Sequence, residues 1–165
     1  MKKIWLILML LIASAAWAAP EKASRPAAKE DLAGTWDMVS VKPVQDKKDP
    51  VFFPYQRFVF NKDSSMKYMV SDKPFVEEWL EKFNKQRPAI DYSVSAKGLL
   101  TLTWQDQPHN ETALCAYVLR DVPAEVLAKL PVGERDRVPG QGDITLSFLN
   151  SSGHIAYQKV LKKIA

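Results

Sequence analysis

From Leu32 onward the chain alternates apolar and polar residues with a period of two, broken only at turns and at one longer stretch. "GTWDMVSVK", "YQRFVFN" and "SMKYMVS" read as strands, and the turn-rich "KDS" makes the second and third a hairpin. "PFVEEWLEKFNKQ" changes the rhythm. Phe75, Trp79 and Phe83 recur every four residues with Val76 and Leu80 beside them, while Glu77, Glu78 and Lys82 face away. That spacing predicts an amphipathic helix over Phe75 to Gln86, with Pro74 in its first turn. Strands resume in "IDYSVS" and "LLTLTWQ", whose connector "AKG" offers Gly98 for the positive φ of a tight hairpin. "ETALCAYVLR" is a sixth strand and "PAEVLAKL" a short helix. Residues 131–142, "PVGERDRVPGQG", read as irregular, and "DITLSFL" and "HIAYQKVLKKI" pair across "NSSG".

Eight short strands joined mostly by tight turns predict an all-β fold, an eight-stranded antiparallel up-and-down barrel. One amphipathic helix falls between strands 3 and 4, and a short helix between strands 6 and 7. A two-sheet sandwich accommodates the same strands. The alternation sets inward faces: Phe58 and Phe60 on the second strand, Tyr92 and Val94 on the fourth, Leu100, Leu102 and Trp104 on the fifth, and Ile144, Leu146 and Phe148 on the seventh.

The chain start changes the picture of where this domain works. Lys2 and Lys3, the apolar run "IWLILMLLI" and the small-residue end "ASAAWA" are the three parts of a secretory signal peptide, residues 1–18, with cleavage expected after Ala18. The run is too short for a stable membrane span. Residues 19–31 are polar and proline-bearing and read as a flexible leader, and 32–165 as the barrel domain. The expected product is periplasmic or secreted. Losing Lys2 and Lys3 lowers the formal charge from +4 to +2, too little for a nucleic-acid binder. Cys115 is the single cysteine, so stability must come from packing and not from an internal disulfide.

Catalytic chemistry finds little footing. His109 and His154 are far apart in sequence, and no His, Cys, Asp or Glu cluster has metal-ligand spacing, so neither a metal nor a cofactor is expected. Cys115 lies in an apolar strand and reads as a small hydrophobe. Glu77 and Glu78 diverge around their helix. The chain reads as a non-enzymatic protein. Arg57 and Arg120 fall among apolar neighbours, where either an inward, ligand-facing or an outward, solvated side chain fits.

"LAGTWDMVSV" puts Gly34 and Trp36 at the start of the first strand, and this Gly-x-Trp resembles the signature of the lipocalins, in particular of bacterial lipocalin-like domains. The resemblance implies a barrel closed at one end by Trp36, with Gly34 making room there. It also implies a basic side chain from near the last strand packed on the indole, for which Lys159 and Lys162 are the nearest candidates.

A barrel of this size either fills with side chains or holds one small ligand. Phe58, Phe60, Tyr68, Tyr92, Trp104, Phe148 and Tyr157 are the expected lining of such a pocket, their phenols orienting a small hydrophobic guest. The helix at Phe75 to Gln86 is expected to cap one mouth, helped by aromatic residues of "VFFPY"; packing against the outer wall is the other outcome. The competing expectation is a solid barrel that binds an envelope protein through loops such as 131–142. An internal void favours the carrier, an exposed apolar patch the partner.

Overall fold

A computed structural model describes residues 22–43 and 53–164. The expected signal peptide, the first residues of the leader, and Val51 and Phe52 of "VFFPY" lie outside the described residues. In chain order the elements are β1 (Ser24–Pro26), α1 (Lys29–Leu32), β2 (Gly34–Pro43), β3 (Tyr55–Phe60), β4 (Ser65–Ser71), α2 (Glu77–Lys85), β5 (Ile90–Val94), β6 (Leu99–Trp104), β7 (Asn110–Val118), α3 (Ala124–Leu127), α4 (Val132–Arg135), β8 (Ile144–Leu149) and β9 (Ile155–Ile164).

Each strand from β2 to β9 pairs antiparallel with its neighbour in sequence, and β9 returns to β2. The result is a closed eight-stranded antiparallel barrel. Continuous pairing around the ring excludes the two-sheet sandwich. The β2–β9 ladder carries a bulge between Met38 and Ser40, so Trp36 and Met38 face inward before it and Val41 after it. The alternations read from sequence deliver Phe58, Phe60, Tyr92, Leu100, Leu102, Ile144, Leu146 and Phe148 to the buried interior.

The helices differ from expectation in number. Among the described residues four short ones are present, two of them unforeseen: α1 inside the expected leader and α4 inside the expected irregular stretch 131–142. The described part of the expected leader contains regular structure. Ser24–Pro26 pairs with Ala116–Val118 of β7, continuing where β6 stops, and Ala27 is buried. Polar composition hid this because backbone pairing and one ion pair, rather than an apolar stripe, hold the segment. Arg25 donates to both oxygens of Asp31 at 2.6 and 2.7 Å and lies over the Tyr117 ring at 4.8 Å. Asp31 also accepts from the Ala28 backbone, and the Arg25 hydrogen bond leads the effects that hold its carboxyl below the usual range.

One end of the barrel is plugged. Trp36 is wholly buried and its indole Nε1 donates at 2.6 Å to the carbonyl of Leu32, the last residue of α1. Register places Trp36 opposite Lys163, whose ammonium sits 5.4 Å from the ring. The indole's basic partner is therefore Lys163, and neither Lys159 nor Lys162: the strand period brings every second side chain inward, and Lys163 has the matching register. Gly34, at φ +134°, is where a Cβ would lie 2.9 Å from Lys163 Cε, so the missing side chain is the space through which the lysine stem runs.

Gly98 holds the second constrained position. At φ +75° a Cβ there would meet the Cys115 carbonyl at 2.5 Å and crowd Pro26 of β1. Gly98→Ala is expected to destabilise the fold by about 2 kcal/mol or more, combining left-handed strain with a backbone clash that pushes β1 off β7. Urea unfolding measures it; an unchanged midpoint would contradict this account.

Candidate functional site

The interior divides into two halves. At the plugged end Leu32, Trp36, Phe60, Leu100, Ile144 and Leu161 fill the space. Toward the other end lies a cavity of about 140 Å³. Its walls carry the rings of Phe58, Tyr68, Trp104, Phe148 and Tyr157, the apolar side chains of Met66 and Leu102, and two charged groups, Lys159 and Glu111. Some surface depressions are larger, one of about 510 Å³ beside Lys29, Glu30, Ala33 and Lys62, but that one is an open feature on the outside of the barrel.

Five of the seven aromatic residues expected as a ligand lining thus meet around one void. Phe60 and Tyr92 do not line it. They pack edge to face at 5.1 Å in the filled half, and the Tyr92 hydroxyl donates to the Asn61 carbonyl at 2.7 Å. The expected closure pair, Gly34 and Trp36, sits at the plugged end.

Sequence reasoning missed the cavity's polar centre. Lys159 is only 5% exposed, and its ammonium lies 5.0 to 5.6 Å from the ring centroids of Phe148, Phe58, Tyr157 and Tyr68. It donates to Gln56 Oε1 at 2.7 Å, and the Tyr68 hydroxyl donates to the same oxygen at 2.8 Å. Gln56 is itself oriented, because its Nε2 donates to the Phe53 carbonyl at 2.9 Å. Among the described residues no buried side-chain polar atom lacks a partner. Burial brings the Lys159 ammonium down to about 8, with the charge of Glu111 opposing that fall. Burial also raises the Tyr68 and Tyr157 phenols, so both stay protonated over the neutral range. The missed signal was parity: Tyr157, Lys159 and Leu161 alternate on β9 just as Gln56, Phe58 and Phe60 do on β3.

Glu111, the second residue of β7, lines the cavity at its outer side. Its Oε1 is 3.3 Å from His109 Nε2, and that imidazole tilts against the Trp104 ring at 5.2 Å. The β4–β5 seam lies nearby and is short, with only Ser65 and Met66 paired to Asp91 and Ile90. A second space of about 140 Å³ follows this seam, sharing Met66, Tyr68 and Trp104 with the first and bounded outside by Phe83 of α2. Lys67 Nζ donates to the Asn84 carbonyl at 2.7 Å and fastens the end of α2 there. So α2 flanks the seam in the barrel wall, where Phe83 alone of its expected apolar face is buried; Val76 and Trp79 are exposed. The helix also begins only at Glu77, leaving Pro74 and Phe75 before it.

The remaining candidates lie elsewhere. Arg57 faces outward, pairing with Asp37 at 2.7 Å and lying over Phe75 at 5.3 Å. Arg120 is on the surface beyond β7, and His154 is exposed beside the last hairpin. Cys115 is buried on the β7 inner face, and burial pushes its thiol up to about 12. Among the described residues no group of three or more His, Cys, Asp or Glu side chains is arranged to hold a metal ion, and no helix is long and apolar enough to cross a membrane. No protein-family model, no curated protein and no solved structure matches the chain.

Lys159 makes stability depend on pH with a definite sign. Its folded value, about 8, lies below the 10.5 of an ordinary lysine, so between these limits the unfolded chain binds more protons and folding strengthens as pH rises. Below about pH 8 both states are protonated and the full cost of burying the charge is present. Above about pH 10 the raised tyrosines act the other way, since only the unfolded chain then ionises its phenols. Urea unfolding is expected to show a gain of about 2 kcal/mol between about pH 8 and pH 10. Lys159→Met should abolish that rise and add about 1–3 kcal/mol at neutral pH. A variant with the same pH profile as the parent would show that Lys159 does not carry the effect.

Proposed function

We propose that this protein is an exported, non-enzymatic binding protein of lipocalin-like type, holding one compact, largely apolar molecule inside its barrel. The carrying observation is the void itself: an interior plugged at one end and, toward the other, about 140 Å³ of space walled by five aromatic rings. A space of about 150 Å³ has room for a molecule of benzene size, so by volume the matching guest is a single ring or a short branched chain, not a long acyl chain. Packed interiors keep few voids larger than a water molecule, and one retained among aromatic rings supports a site for a small guest. The phenols of Tyr68 and Tyr157 give such a guest polar contacts to orient it. Export rests on the signal-peptide pattern of residues 1–18.

A second reading has its own support. Phe53, Tyr55, Val76 and Trp79 are exposed, with Tyr55 and Phe75 in ring contact at 6.3 Å, and Val132 in the 131–142 segment is 74% exposed. Such surface suits an envelope protein docked on the barrel.

Ligand-observed NMR with benzyl alcohol tests the cavity reading. Saturable binding is expected, and Leu102→Phe, which projects a ring into the void, should weaken it by about tenfold or more while circular dichroism stays unchanged. Equal binding by both proteins would move the guest out of the barrel; no binding by either would favour the docking surface.

A further inference from the structure

We propose that Lys159 is a covalent capture site, its Nζ condensing reversibly with a small aldehyde or ketone that enters the cavity. This rests on the binding reading above and adds the chemistry of the guest. An amine becomes an imine former when it is held at the wall of an apolar space, positioned by a fixed acceptor and flanked by groups that handle protons. Lys159 meets each condition. It lines the void, Gln56 Oε1 fixes its Nζ at 2.7 Å, and Gln56 is held by the Phe53 carbonyl. The Tyr68 and Tyr157 rings and the Glu111 carboxylate border the same space.

The balance of the step is complete without an oxidant or reductant. The lone pair of neutral Nζ attacks the carbonyl carbon, the carbonyl π electrons move to oxygen, and the proton leaving nitrogen ends on that oxygen to give a carbinolamine. A second proton, relayed by Glu111 from water at the outer side of the cavity, turns the hydroxyl into departing water as the nitrogen lone pair closes the C=N bond. The product is a protonated imine and one water. Its positive charge stays where four rings face the nitrogen at 5.0 to 5.6 Å, so the cation–π contacts of the ammonium carry over to the product. Burial lowers Lys159 toward 8 against the opposing charge of Glu111, which raises the share of neutral amine near physiological pH relative to a surface lysine. The single-ring volume limits the carbonyl compound to something of benzaldehyde size.

The test is reductive trapping. The protein is incubated with benzaldehyde and cyanoborohydride at neutral pH, followed by intact mass and peptide mapping. One benzyl group on Lys159 is expected, appearing about tenfold or more faster than on any exposed lysine. Lys159→Arg, which keeps the charge, and Lys159→Met, which removes it, should both lose that early adduct and keep the slow surface labelling. Benzyl alcohol, the same size without the carbonyl, separates the two readings. If it binds the cavity but benzaldehyde labels surface lysines first, covalent capture is overturned and the binding reading survives. If neither compound enters and Lys159 stays unlabelled, both are overturned.

Discussion

Everything in this fold depends on how β9 meets β2. Their pairing closes the ring, and its register with one bulge decides which side chains share the interior. Before the bulge Trp36 faces Lys163 and Met38 faces Leu161, building the plug. After it Val41 lies opposite Lys159, so a lysine enters a space otherwise walled by rings. A one-residue slip would exchange inside for outside along the whole strand and turn Lys159 to solvent. Plug and cavity are two products of the same ladder.

The two halves of the interior follow different physical rules. The plugged half is dense, apolar and tied to the N-terminal segment, where Arg25 and Asp31 join β1 to α1 and the indole satisfies the last carbonyl of that helix. The other half keeps a void and a charged amine, both of which cost stability. Gln56 makes that cost tolerable, since its carboxamide oxygen accepts from Lys159 and Tyr68 together. A domain that confines its unfavourable groups to one end and consolidates the other can keep an interior cavity without losing the fold.

The strands and their inward faces were legible because a two-residue period survives any detail of register, and Phe58, Leu102 and Phe148 fell where alternation put them. Where the strands meet was not. Periodicity carries no information about depth, so Phe60 and Tyr92, with the right parity, ended in the filled half, and Lys163 took the position beside Trp36. The leader escaped notice because a strand of Ser, Arg and Pro is held by backbone pairing with β7, which leaves no apolar trace. Lys159, Gln56 and Glu111 carried a usable signal, the parity of their strands. A reading that seeks only apolar residues on inward faces passes over the polar ones that share them.

The Gln56 carboxamide spans the barrel wall in a way that joins two regions. Its oxygen faces the caged ammonium while its nitrogen is pinned to the carbonyl of Phe53, an exposed residue where the chain enters β3. A planar amide cannot turn one end without turning the other. Whatever reorients the carbonyl at the rim therefore changes the acceptor offered to the lysine, and whatever displaces the lysine pulls on the rim. Two hydrogen bonds on one rigid group thus tie the amine inside the barrel to the backbone at its rim.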